Sequence, residues 1–74
     1  MKQLIFKKTR PAHHEVYWGE WNKGVKIGFA ETKRNMNYWH FVAQPNSPTN
    51  GGFKSATFGE LERKMKKCFE QDFS

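Results

Sequence analysis

The chain has 74 residues, 36% of them hydrophobic and 16% aromatic, with thirteen Lys and Arg against seven Asp and Glu, for a net charge of +6. This length suits one domain, residues 1–74, close to the lower limit for a core without staples, and the single cysteine, Cys68, excludes an internal disulfide and fits a reducing, cytoplasmic setting. The apolar run Leu4, Ile5, Phe6 is too short for a signal-peptide core, no stretch approaches a membrane span, and no membrane partner is expected.

Residues 2–8, KQLIFKK, read as a short strand with lysines at both ends, the pattern of a sheet edge. Pro11 ends it by removing a ladder donor and restricting Arg10.

A hairpin comes next over 15–21 and 25–31, VYWGEWNKGVKIGF at its centre. The NKG triplet suits a three-residue loop closed by Gly24, which pairs Trp21 with Val25, Glu20 with Lys26, Trp18 with Gly28 and Tyr17 with Phe29. This register predicts a core face of Tyr17, Gly19, Trp21, Val25, Ile27 and Phe29, and a second face of Val16, Trp18, Glu20, Lys26, Gly28 and Ala30.

A polar loop with a basic tip at Lys33 and Arg34 leads to a strand over 38–44, with Trp39, Phe41 and Ala43 on one side and Tyr38, His40 and Val42 on the other. Residues 45–56, which open with PNSPTNGG, are expected to be loop. TFGE then forms a capping box, Thr57 as N-cap and Glu60 three places on, ahead of a helix over 58–71 whose apolar stripe is Phe58, Leu61, Met65, Cys68 and Phe69. The expected fold is α+β: an antiparallel meander of three or four strands with one C-terminal helix packed across one face.

One helix covers one face, so Trp18, Tyr38 and His40 are expected on an open face beside Lys26. Rings beside cations are how sheet-based modules stack unpaired bases. The N-terminal group Lys7, Lys8 and Arg10, with Lys26 and the Lys33–Arg34 tip, supplies candidate phosphate contacts, whereas the helical Arg63, Lys64, Lys66 and Lys67 are interspersed with Glu60, Glu62 and Glu70 and suit a solvated, salt-bridged face. His13, His14, His40 and Cys68 lack the paired spacing of a structural zinc site, and no metal or cofactor is expected. His40 beside a carboxylate such as Glu20 would form an acid–base pair, but no motif supports catalysis.

The layout of a small antiparallel sheet followed by a helix resembles the arm-binding domains of tyrosine integrases and plant AP2 domains, and its strands-then-helix order is similar to PC4-type single-strand binders. The resemblance implies a nucleic-acid partner, DNA or RNA, for a non-catalytic module. The other reading is a protein-binding accessory or inhibitor of the phage or mobile-element type, a monomer or a homodimer joined through its sheet, in which the same rings anchor an interface.

Overall fold

The computed structural model describes residues 2–20 and 23–72. It is an α+β fold with five strands rather than three or four: β1 (Gln3–Arg10), β2 (His13–Gly19), β3 (Val25–Glu31), β4 (Trp39–Ala43) and β5 (Lys54–Ser55), followed by α1 (Phe58–Asp72). The strands pair antiparallel in chain order, each with the next. The fifth strand lies inside the segment expected to be loop. It is two residues long, and its Gly/Pro/Asn-rich approach hides it from any periodicity argument.

Helix α1 starts where its cap directs. The Thr57 hydroxyl accepts from the Glu60 N–H at 3.2 Å, and the Thr57 carbonyl accepts the first helical bond, from Leu61 N–H at 3.1 Å. Leu61, Met65 and Phe69 fall on one side at spacings of four and are completely buried; Phe58 and Cys68 flank them, partly buried. Each fully buried side chain of this size contributes roughly 1.5–3 kcal/mol. The stripe rests on Leu4, Val16, Trp18, Ile27, Ala30 and Phe41 from the first four strands.

The helix packs against β1, β4 and β5, so it spans between the two outer strands of the sheet. It also serves their exposed backbone groups. Glu70 accepts from the Leu4 N–H of β1 at 3.4 Å, and the Lys64 ammonium donates to the Lys54 carbonyl of β5 at 2.9 Å. Unpaired edge groups are templates for association with another chain, and both edges are blunted here by side chains of one helix.

The hairpin register differs from the expected one. Val25 lies opposite Trp18 and Lys26 opposite Tyr17; a bulge then brings Gly28 opposite Val16, Phe29 opposite Glu15 and Ala30 opposite His14. Val16, Trp18, Gly28 and Ala30 do share a face, as the sequence pattern groups them, but it is the covered face. Tyr17 and Phe29 share the other, and Lys26 joins them. Ile27, the extra residue of the bulge, is buried in the core, as expected from its hydrophobicity. Trp21, expected in the core, lies outside the described residues.

The side chosen for the core follows from volume. Gly28 and Ala30 are small and buried, and the space at Gly28 is taken by β4, with the Phe41 ring against it, where a side chain the size of Tyr17 or Phe29 would not fit. At Gly28 the restriction is severe: a Cβ would stand 2.1 Å from the Val42 carbonyl oxygen and 2.9 Å from the Phe41 ring. Gly28→Ala is therefore expected to lower unfolding stability by more than about 1 kcal/mol, read as a reduced urea midpoint. Gly59, in the first helical turn, behaves oppositely, because a Cβ there would meet nothing within 4 Å. Gly59→Ala is expected to raise stability by about 0.5 kcal/mol through a less flexible unfolded chain, and an unchanged or lower midpoint would contradict that account.

Candidate functional site

Trp18 is not on the open face. It is 8% exposed, and its ring meets Phe69 of the helix at 5.2 Å between centroids. Stacking on a base would require the helix to leave, so Trp18 belongs to the core and its assignment to the binding surface is corrected. Tyr38 and His40 stand away from the helix. His40 pairs with Glu31 in register and lies on the face opposite Phe41 and Trp39, and the Tyr38 ring meets it edge-on at 5.9 Å.

The open face gains other rings in exchange. His13 and Phe29 stack at 4.8 Å with their planes 25° apart. His13 stands opposite Glu31, which stands opposite His40, which stands opposite Lys54, so one row crosses β2, β3, β4 and β5 at the same end of the sheet. The Lys54 ammonium lies 5.2 Å from the centre of the Tyr38 ring, a cation–π contact. His40 Nε2 and Glu31 Oε1 are 3.3 Å apart, so the carboxylate beside His40 is Glu31 and not Glu20. Thr32 joins the turns at this end: its N–H donates to the Ala12 carbonyl at 3.1 Å and its hydroxyl to the Tyr38 carbonyl at 2.8 Å.

The basic residues separate by position. A bulge between Lys8 and Arg10 sets Arg10 opposite His13 and leaves Lys8 opposite His14. Simple alternation would put Lys8 and Arg10 on one side. The bulge instead brings Arg10 to the open face, where Lys7 also lies, and leaves Lys8 on the helix side. Lys33 and Arg34 are exposed in the β3–β4 loop, which the Thr32–Ala12 bond holds against the β1–β2 turn. Arg10, Lys33 and Arg34 thus gather at one end of the sheet, and none takes part in an ion pair among the described residues. Lys26 does: its ammonium is 2.8 Å from Glu15. That hydrogen-bonded contact holds the Glu15 carboxyl below the usual carboxylate range and pushes Lys26 up. Lys26 is already engaged and is the weakest phosphate candidate of the set.

A cleft of about 280 Å³ opens beside this cluster, lined by Arg10, Pro11, Ala12, His13, Glu31 and Thr32. Among the described residues no three His, Cys, Asp or Glu side chains are arranged to hold a metal ion, and no helix is long and apolar enough to cross a membrane. None of the protein-family models, curated proteins or solved structures compared with the chain matches it.

Sequence reasoning missed His13, Phe29, Glu31 and Lys54. The signal for the first three is the alternation His13, Glu15, Tyr17 and Phe29, Glu31, which becomes legible once the hairpin is aligned from its far end and a bulge is allowed. Lys54 carries no such signal, because its strand is two residues long.

The remaining histidine, His14, faces the helix. Its ring stacks on Phe58 at 3.9 Å and 16°, Trp39 meets it edge-on, and its Nδ1 is buried without a hydrogen-bond partner. Burial lowers its pKa from the ordinary 6.5; Lys8 and His13 add to this, and Glu62 on α1 opposes it. Protonation would create a buried donor with no acceptor. Because the folded value lies below the unfolded one, this contribution is complete above about pH 6.5, drains as the pH falls, and levels off below the folded value. His14→Phe is expected to flatten this part of the profile in urea midpoints taken from about pH 8 to pH 5; an unaltered slope would refute the assignment.

Proposed function

We propose that the protein is a non-catalytic nucleic-acid-binding module whose contact surface is the ring-bearing end of the open sheet face. The observation that supports this is the convergence of Arg10, Lys33 and Arg34, free of ion pairs among the described residues, beside the His13–Phe29 and Tyr38–His40 ring pairs. Cations at the rim would hold phosphates, and rings on the sheet would meet unstacked bases. Lys7 and Lys54 extend the same electropositive face. Lys8 would contribute at its border, and Lys26 only through the residual field of its pair with Glu15. The net charge of +6 adds long-range attraction for any polyanion.

A second reading, association through the sheet with a protein partner or a second copy, is favoured by the apolar side chains of the same face. Ile5, Tyr17, Phe29 and Val42 are half-buried there. Charge separates the readings. With three phosphates neutralised on a single strand, log affinity should fall with log salt at a slope of about −2, roughly a twenty-fold loss between 50 and 200 mM. Fluorescence anisotropy with short labelled single-stranded and duplex oligonucleotides measures this directly. Replacing Lys33 and Arg34 together by glutamate is expected to weaken binding by more than about tenfold. No binding at the lower salt, or binding indifferent to salt, would discard the module. Sedimentation showing a dimer that survives the charge reversal would support the second reading.

A further inference from the structure

Glu31 is out of place on a surface that meets phosphates. It lines the cleft together with Arg10 and His13, its side chain is 21% exposed, and its Oε1 receives the His40 contact at 3.3 Å. A carboxylate here repels a phosphate and requires a donor from whatever enters. The cleft, about 280 Å³, is slightly below the roughly 300 Å³ at which small-molecule sites begin, so it suits one base and not a length of strand.

The bases differ in what they offer a carboxylate. Guanine presents N1–H and N2–H side by side, two donors for two oxygens. Adenine and cytosine present one amino donor next to a ring-nitrogen acceptor, and that acceptor meets the carboxylate unfavourably. Uracil and thymine flank their single N–H with carbonyl oxygens. A carboxylate has about four lone-pair sites, so the His40 contact leaves both oxygens able to accept. In a duplex the guanine donors are committed to cytosine, which restricts the site to unpaired nucleotides. The His13 ring, stacked on Phe29, and the Pro11 ring line the cleft and offer flat surfaces for the base.

We propose that this cleft selects one unpaired guanine: Glu31 accepts from N1–H and N2–H, His13 and Pro11 contact the base plane, and Arg10 holds an adjoining phosphate. The proposal rests on the nucleic-acid reading of the same face. His40 is a positioning residue that orients the Glu31 carboxylate.

The test uses the full chain and labelled oligothymidylate octamers carrying one central guanine, inosine, adenine or cytosine. Guanine is expected to bind at least about fivefold tighter than adenine or cytosine, with inosine, which lacks the N2 amine, between them. Glu31→Gln is expected to erase the guanine preference and strengthen binding to the adenine oligomer, with the salt slope retained. The inosine comparison needs no variant and stands even where Glu31→Gln perturbs folding. Equal affinity for all four oligomers with ordinary salt dependence would overturn the guanine site and leave the binding module intact. Preference for guanine that persists in Glu31→Gln would also overturn it. Absence of binding to every oligomer would remove both readings.

Discussion

The side of the sheet that meets solvent is decided by the contact of Phe69 with Trp18. The Phe69 ring also reaches Phe41 of β4 at 6.4 Å and Phe53 ahead of β5 at 6.2 Å, so one buried side chain joins β2, β4, the fifth strand's approach and the helix. A single helix covers a single face. Once Trp18 is committed beneath it, the alternation of β2 sends His13, Glu15 and Tyr17 outward, and the paired residues of β3 and β4 follow. Every feature of the candidate site depends on that parity.

Two bulges then modify what alternation alone would give. In β3 the bulge near Ile27 keeps an apolar residue buried while leaving Lys26 outward beside Glu15. In β1 the irregularity around Thr9 moves Arg10 to the ring-bearing face. Bulges at strand ends re-aim side chains at modest local loss of pairing. Here one preserves the core and the other builds the rim of the cleft. The Thr32 bonds to Ala12 and Tyr38 fix that rim by fastening two turns together, which is why residues some twenty positions apart in sequence act as one surface.

Much of this was legible in the residues themselves. The helix, its Thr57 cap and the Leu61–Met65–Phe69 stripe are local features with strong periodicity. The sides of Trp39, Phe41 and Ala43 against Tyr38 and His40 follow from alternation. Even the grouping of Val16 and Trp18 with Gly28 and Ala30 was readable. What escaped was which group faces the helix. Counting large apolar side chains favours the Tyr17–Phe29 face, but a covered face needs small residues where neighbouring rings press in, and Gly28 admits the Phe41 ring. The hairpin tip misled further, since NKG is a good turn by its own chemistry yet Val25 pairs with Trp18. The fifth strand, too short for any pattern, exists through its pairing with β4 and the hold of Lys64 on its backbone.

The same logic explains why the open face is mixed rather than purely cationic. A solvent-facing sheet surface needs enough polar groups to resist association through its apolar rings, and the Glu15–Lys26 ion pair and the Glu31–His40 contact supply them. Their positions are unequal, however. Glu15 is satisfied by a close ammonium and by the Tyr17 hydroxyl, which donates to it at 3.3 Å. Glu31 has an imidazole contact and opens onto a cleft beside a guanidinium that does not pair with it. Keeping the face hydrated accounts for the first carboxylate completely. The second keeps unused acceptor capacity on a cleft, and this difference, rather than net charge, is what singles out the Glu31 end of the face for the proposed recognition.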